Sequence, residues 1–222
     1  MSDYNSLRRL IKNIDDEWSV ERYGKLLEIG GGKERMTGHW NEVGWPDEMA
    51  DDNDETKQEK VKELHLLKTD LFMKLIDEKV IPLRPGVLRL INEAIENGVQ
   101  LAVCSTSNEK AVQNIVTTLM SEEQASKFSV FAGDMVKTKK PAPDVYNMAV
   151  EEMGLDKSKC IVIEDSHIGL CAAKAAGIAC IVTKSSYTGG EDFTAADMVV
   201  EELGDDATKG LTLNTLSDLI NA

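Results

Sequence analysis

From residue 99 onward, short apolar runs take turns with amphipathic stretches, and this alternation constrains the fold more than any other feature. Val99 to Cys104 is apolar, and a helical pattern follows from Glu109 to Met120. Phe128 to Ala132 reads as a strand, and Asp144 to Met153 as a helix. Cys160 to Ile163 reads as a buried strand, and Ser166 to Ala176 as a helix closed by Gly177. Ile178 to Val182 and Met198 to Val200 are further strands, and a last helix runs from Leu213 to Ile220. Strands separated by helices imply βα units and a parallel sheet, which binds ligands at the carboxyl ends of its strands. The runs ending at Cys104 and Ile163 are apolar on both faces, as buried parallel strands are.

Before residue 80 the pattern is helical and polar. Leu7, Leu10, Ile11 and Ile14 space as one helix face, and Val61, Leu64, Leu67, Leu71, Phe72 and Leu75 as another. Gly30 to Gly32 and Gly44 to Pro46 read as turns, and Asp51 to Glu59 as an acidic loop or helix start. The expected organisation is a helical domain over 1–80 and an α/β core over 81–222.

Composition narrows the function. Lys and Arg number 25 against 39 Asp and Glu, a formal charge of -14, which disfavours nucleic-acid binding. An anionic ligand therefore needs locally placed cations. No apolar run is long enough to span a membrane, and the N-terminus MSDYNSLRRL carries no apolar signal region. The four cysteines lie in or beside apolar runs without a C-x-x-C pair, which fits reduced core residues of an intracellular, soluble protein.

Three strand ends carry chemistry. After Cys104 come Ser105, Thr106, Ser107 and Asn108, hydroxyls and an amide that suit an anion. They equally suit a helix cap at Ser107 or Asn108. The stretch from Lys137 to Pro143 holds Lys140 beside Pro141, either as a phosphate-binding point charge or as a solvated basic turn. Glu164 and Asp165 end an apolar strand as adjacent carboxylates. Asp165 or Ser166 alone could cap the next helix, but a pair repels itself unless a cation such as Mg²⁺ lies between its members. A hydroxyl turn, a fixed lysine and a carboxylate pair at successive strand ends are the parts of a phosphoryl-transfer site. The scattered histidines His39, His65 and His167 suggest neither a zinc site nor a Ser-His-Asp triad.

These motifs resemble the haloacid dehalogenase superfamily, in its β-phosphoglucomutase-like branch, and most of all the CbbY-like phosphatases of photosynthetic organisms. The resemblance rests on Trp18 to Leu27, Gly30 to Arg35, Leu83 to Gly86, Cys104 to Lys110, Lys139 to Pro143, Ile163 to Ser166 with Ile168 to Leu170, and Thr183 to Thr188. It implies a Rossmann-like core with a parallel sheet and a helical cap over 1–80. It makes Ser105 the phosphate-binding hydroxyl, Lys140 the lysine that neutralises nucleophile and phosphoryl oxygens, and Glu164 and Asp165 the Mg²⁺ site. It places Lys33, Arg35 and Lys68 of the cap at the substrate's distal group, and Ser107 and Asn108 near the sugar phosphate.

In that superfamily the first core strand ends in D-x-D-G, whose first Asp attacks phosphorus while the second serves as general acid and base. Neither Asp15-Asp16 nor the cluster from Asp51 to Asp54 follows an apolar strand. The expectation is therefore a chain without the nucleophile and without the central strand, inactive as it stands and leaving a gap between the strands that end at Cys104 and Ile163. The intact protein is expected to be a monomeric, Mg²⁺-dependent phosphatase of a sugar phosphate or bisphosphate such as xylulose 1,5-bisphosphate, acting through a phosphoaspartate in the plastid stroma or the cytoplasm. The alternatives are a β-phosphoglucomutase-like isomerase and a non-catalytic sugar-phosphate binder.

Overall fold

The computed structural model describes residues 18–208 and 210–221. The expected helix face at Leu7, Leu10, Ile11 and Ile14, and the Asp15-Asp16 pair, lie outside these residues.

Four helices come first: α1 (Val20–Leu27), α2 (Gly32–Val43), α3 (Asp47–Ala50) and α4 (Asp54–Asp77). Their starts are chemically marked. Ser19 Oγ accepts from Arg22 N at 3.1 Å, and Asn53 Oδ1 from Thr56 N at 2.9 Å, so each side chain satisfies an otherwise unpaired first-turn N–H. Trp40, Met49, Val61 and Leu64 form a buried cluster among α2, α3 and the first half of α4. The second half of α4 packs on a helix of the core, and Asn114 Nδ2 donates to Asp77 Oδ1 at 3.0 Å. The change of neighbour turns the buried face: Ile76 is buried, whereas Leu75, expected inside, is 41% exposed.

The remaining elements alternate: α5 (Val87–Glu96), β1 (Leu101–Cys104), α6 (Glu109–Leu119), α7 (Glu122–Ala125), β2 (Phe128–Phe131), α8 (Asp144–Met153), β3 (Ile161–Glu164), α9 (His167–Ala175), β4 (Ala179–Thr183), β5 (Met198–Val200) and α10 (Leu213–Asn221). Helix α5 is not among the expected elements, although Leu90, Ile91 and Ala94 recur at helical spacing and are buried. On β4, Cys180 and Val182 face one layer, under α8 and α9, while Ile181 faces the other, with Leu90 of α5 and Leu216 of α10. The core is thus a parallel sheet covered by helices on both faces, as βα connections dictate.

The sheet is in two pieces. β1 pairs with β2, from Leu101 opposite Phe128 to Cys104 opposite Phe131, and β3, β4 and β5 pair in that order, every pair being parallel. Both pieces share one hydrophobic core, in which Cys104 and Phe131 pack with Val162, Cys180 and Val182. Among the described residues no strand lies between β1 and β3, which matches the expected gap. The gap overturns the expectation that both flanking strands are buried. Ala102 on β1 is exposed and Ile163 on β3 is 39% exposed, whereas Cys180, Ile181 and Val182 of fully flanked β4 are at 0%. Amide hydrogen exchange should register this difference. Amides of β4 are expected to exchange only through global unfolding, and those of β1 and β3 that face the opening to exchange by local fluctuation, roughly 10²-fold or more faster. Equal protection across β1, β3 and β4 would show that the opening is closed in solution.

The four cysteines are free; Cys180 is fully buried in the core, Cys104 and Cys160 are half-buried and pack against it, and Cys171 is half-buried. Among the described residues no helix is long and apolar enough to cross a membrane.

Candidate active site

The carboxyl ends of β1 and β3 bring the expected chemical groups together. After Cys104 the chain turns, with Ser105 N donating to Phe131 O at 2.9 Å, which ties the turn to the end of β2. Ser105 Oγ accepts from Ser107 N at 3.1 Å and keeps its own proton to donate. Asn108 is the cap of α6, its Oδ1 accepting from Lys110 N at 3.0 Å and Ala111 N at 3.4 Å. The capping role expected for this amide is thus present, on its Oδ1. Ser107 is exposed beside it.

Lys140 is no solvated turn residue. Its side chain is 10% exposed, and its peptide bond to Pro141 is cis. Its Nζ donates to Cys104 O at 2.9 Å, pairs with Glu164 Oε1, and lies 4.8 Å from the centre of the Tyr146 ring. The ammonium therefore bridges the end of β1 to the end of β3 across the opening in the sheet. The Tyr146 hydroxyl also donates to Glu164 Oε1, and burial followed by the Glu164 charge pushes its own ionisation upward. Burial likewise pushes the Cys104 thiol up to about 11, which leaves it inert.

The Glu164 carboxylate lies over the first turn of α9, where a Cβ on Gly169 would stand 2.0 Å from its Oε2; only glycine leaves room. Ser166 caps α9, accepting from Gly169 N at 3.3 Å, so the capping role falls to Ser166 rather than Asp165. Burial, then the neighbouring Glu164 charge, raise the Asp165 pKa above its ordinary 3.8, against the opposing pull of Arg84 and Lys140. These carboxylates are hard oxygen donors of the kind Mg²⁺ takes. Glu164 Oε1 already holds Lys140 and Tyr146, which leaves Asp165 as the more available ligand. Among the described residues no three His, Cys, Asp or Glu side chains gather as a metal site, so the fit is to a partial site completed by water.

The helical layer closes over this edge. A Cβ on Gly30 would lie 2.7 Å from Lys140 O, so the turn between α1 and α2 rests directly on the lysine loop. Lys33, Lys68 and, from the loop itself, Lys139 all act on His65, and Arg35 acts on Lys68. Burial is the main cause that lowers the Lys68 pKa, followed by the Arg35 charge. Arg35 is largely committed to the fold: its Nε donates to Leu26 O at 2.9 Å, its Nη2 to Ile29 O at 3.3 Å, and its guanidinium lies 5.6 Å from the Tyr23 ring centre. It holds the α1–α2 turn in shape and adds positive charge.

Two residues without an expected role belong to the site. Tyr146 sits three positions after Pro143 on the buried face of α8, and a buried tyrosine hydroxyl needs a partner, which is the signal that could have found it. Arg84, within the Leu83 to Gly86 stretch, donates to Thr183 O at 3.1 Å, Thr183 Oγ1 at 2.9 Å and Glu201 O at 3.0 Å, and so ties down the loop ends beside Asp165. Nothing in the sequence around Arg84 announces those distant carbonyls.

A two-faced parallel α/β core with hydroxyl, lysine and carboxylates at its strand ends, overlaid by a helical layer, is an arrangement suited to phosphoryl-group chemistry. The chain belongs to the haloacid dehalogenase-like hydrolase family, which matches residues 41–183. It is 56% identical over 194 residues to a CBBY-like protein of Arabidopsis thaliana, an alignment covering 87% of this chain and 60% of that relative. It is 37% identical over 201 residues to Protein CbbY of Rhodobacter capsulatus, covering 90% of this chain and 85% of the relative. Its structure matches CbbY from Rhodobacter sphaeroides in complex with xylulose 1,5-bisphosphate, with a TM-score of 0.76, 34% identity, and coverage of 90% and 85% of the two chains. A β-phosphoglucomutase from Clostridium difficile shares the fold at a TM-score of 0.71 and 18% identity, over 99% of this chain and 89% of that one. The chain spans less than two thirds of the Arabidopsis relative's length.

Proposed function

We propose that this chain provides the phosphate-binding and metal-binding face of a Mg²⁺-dependent sugar-phosphate phosphatase, with a sugar bisphosphate of the xylulose 1,5-bisphosphate kind as ligand. The observation that carries this reading is the convergence of Ser105, Lys140, Glu164 and Asp165 at the ends of β1 and β3. Ser105 donates its hydroxyl proton to a phosphoryl oxygen, and Lys140 places its charge beside the same group. Asp165, backed by Glu164, holds Mg²⁺, which neutralises phosphoryl charge when bound. Lys33 and Lys68, in a helical cap over 1–80, receive the second phosphate opposite the core over 81–222. Arg35 positions their turn, and exposed Ser107 faces the sugar. The complex of xylulose 1,5-bisphosphate with a CbbY relative supports the choice of ligand. A non-catalytic binder is the second reading, favoured by one observation: Glu164 already pairs with Lys140, so the lysine's charge is partly answered.

The test measures thermal unfolding with and without Mg²⁺, and ligand binding by calorimetry. Mg²⁺ is expected to raise Tm in the wild-type chain and not in Asp165→Asn, and xylulose 1,5-bisphosphate to bind more weakly to the variant. The Asp165 pKa is raised on folding, so its ionised form destabilises the metal-free fold above that raised value, and the penalty vanishes as pH falls below the ordinary 3.8. Asp165→Asn should therefore be the more stable protein at pH about 7 without metal, with the advantage gone in acid. Equal Mg²⁺ stabilisation of both proteins sinks the metal assignment, and absence of bisphosphate binding sinks the ligand.

A further inference from the structure

The segment between α4 and α5 carries a cavity that the functions described above do not use. Its volume is about 360 Å³, within the range of small-molecule sites. Leu83 and Leu119 wall it, together with Leu88, which is 40% exposed, and with the stiff rings of Pro82 and Pro85. Apolar surface left in water gains by being covered. Lys79, Arg84 and Asp205 supply the charged part of the lining. Two of them are held in place: Arg84 donates to Thr183 O and Glu201 O, and Asp205 Oδ1 accepts from Gly86 N at 2.6 Å. The Lys79 ammonium, among the described residues, has neither an ion pair nor a hydrogen bond. Its backbone is strained as well. Lys79 ends α4 at φ 54°, with its own N–H on Ile76 O and that of Val80 on Leu75 O. Glycine takes such a left-handed helix end without strain, and a lysine does not.

We propose that this cavity is a second ligand site, which takes a small monocarboxylate with an apolar body, the carboxylate paired with Lys79 and the body laid against Leu83, Leu88 and Leu119. The charge count selects the ligand class. Lys79 and Arg84 against Asp205 leave a surplus of one positive charge, which matches a monoanion and not a phosphomonoester dianion. The leucine and proline walls suit hydrocarbon and leave the hydroxyls of a sugar without partners. The site is distinct from Ser105 and Lys140, and the inference does not depend on the function proposed for that edge. It is built from the stretch of chain that leaves the helical layer and enters the core, so a bound ligand braces that crossing.

The experiment is an amide NMR titration of the ¹⁵N-labelled full chain, with 4-phenylbutanoate as probe and 4-phenylbutan-1-amine as its charge-reversed counterpart. The carboxylate is expected to shift the amides of Lys79, Leu88 and Leu119 to saturation, and the amine to bind there about tenfold more weakly. Inorganic phosphate should leave these amides in place. Lys79→Gly removes the ammonium and relieves the left-handed strain, so this variant should melt no lower than the wild type yet lose about tenfold in affinity for the carboxylate. Lys79→Gln keeps a long side chain without the charge and should lose the same affinity, which provides a second readout if the glycine variant folds poorly. Absence of a saturable shift at these amides, equal binding of acid and amine, an equal response to phosphate, or undiminished affinity in either variant overturns the inference.

Discussion

Given Mg²⁺ and a sugar bisphosphate, this chain is expected to release inorganic phosphate no faster than a buffer control. Phosphoryl transfer through a covalent intermediate needs a carboxylate free to attack phosphorus beside Ser105 and Lys140. Two carboxylates stand there. Glu164 Oε1 holds both the Lys140 ammonium and the Tyr146 hydroxyl, and its Oε2 lies against α9 at Gly169. Asp165 is biased toward its neutral form by burial and by Glu164, and its oxygens are the ones left for the metal. Among the described residues no other carboxylate joins them in a group of metal-ligating or acidic side chains. Removing the nucleophile from an enzyme of this general kind lowers turnover by something on the order of 10⁴–10⁶-fold. A phosphate-release assay decides the matter: robust Mg²⁺-dependent turnover, lost in Lys140→Met, would mean that a nucleophile is present after all.

Lys140→Met carries the largest expected effect on stability. Glu164 and Lys140 are 8% and 10% exposed, and their carboxylate and ammonium are in direct contact. Methionine keeps most of the lysine stem's volume and removes the charge, stranding a buried carboxylate with only the Tyr146 hydroxyl to satisfy Oε1. Breaking a buried pair from one side typically costs about 3–5 kcal/mol, because the abandoned charge stays desolvated. A domain of this kind has roughly 5–15 kcal/mol of net stability, so much of the reserve disappears. The double variant Lys140→Met with Glu164→Gln should recover a large part of the loss, since no naked charge remains. Urea denaturation of the three proteins measures this directly. A single-variant loss under about 1 kcal/mol, the range of exposed pairs, would show that water reaches the pair in solution.

Much of this was legible before the structure, for identifiable reasons. The strands announced themselves because a parallel strand must be apolar on both faces, and the runs at 160–163 and 178–182 are. The stop at Glu164-Asp165 was informative because adjacent carboxylates at the end of such a run are hard to explain otherwise. Asn108 was ambiguous because an N-cap and an anion site use the same residue types, and only the Oδ1 contacts to Lys110 N and Ala111 N reveal the cap. Arg35 carried a charge that suits a substrate, and its Nε and Nη2 also donate to Leu26 O and Ile29 O, carbonyls whose direction no sequence pattern encodes. Glu164 has a partner that the sequence did not announce. Its pairing with Lys140 crosses from one sheet fragment to the other, a long-range contact that depends on how the two fragments sit on their shared core.

The contact between Gly30 and the Lys140 carbonyl has a kinetic meaning. A ligand held between Ser105 and the lysines of this layer, as the proposed function has it, would lie beneath that turn. With the turn as its roof, it would enter while the two backbones are apart. Departure then waits on the same separation, and in hydrolases with covering layers such opening steps run on microsecond-to-millisecond timescales and often set the pace. Any side chain at position 30 would prop the layer ajar and trade residence time for faster exchange.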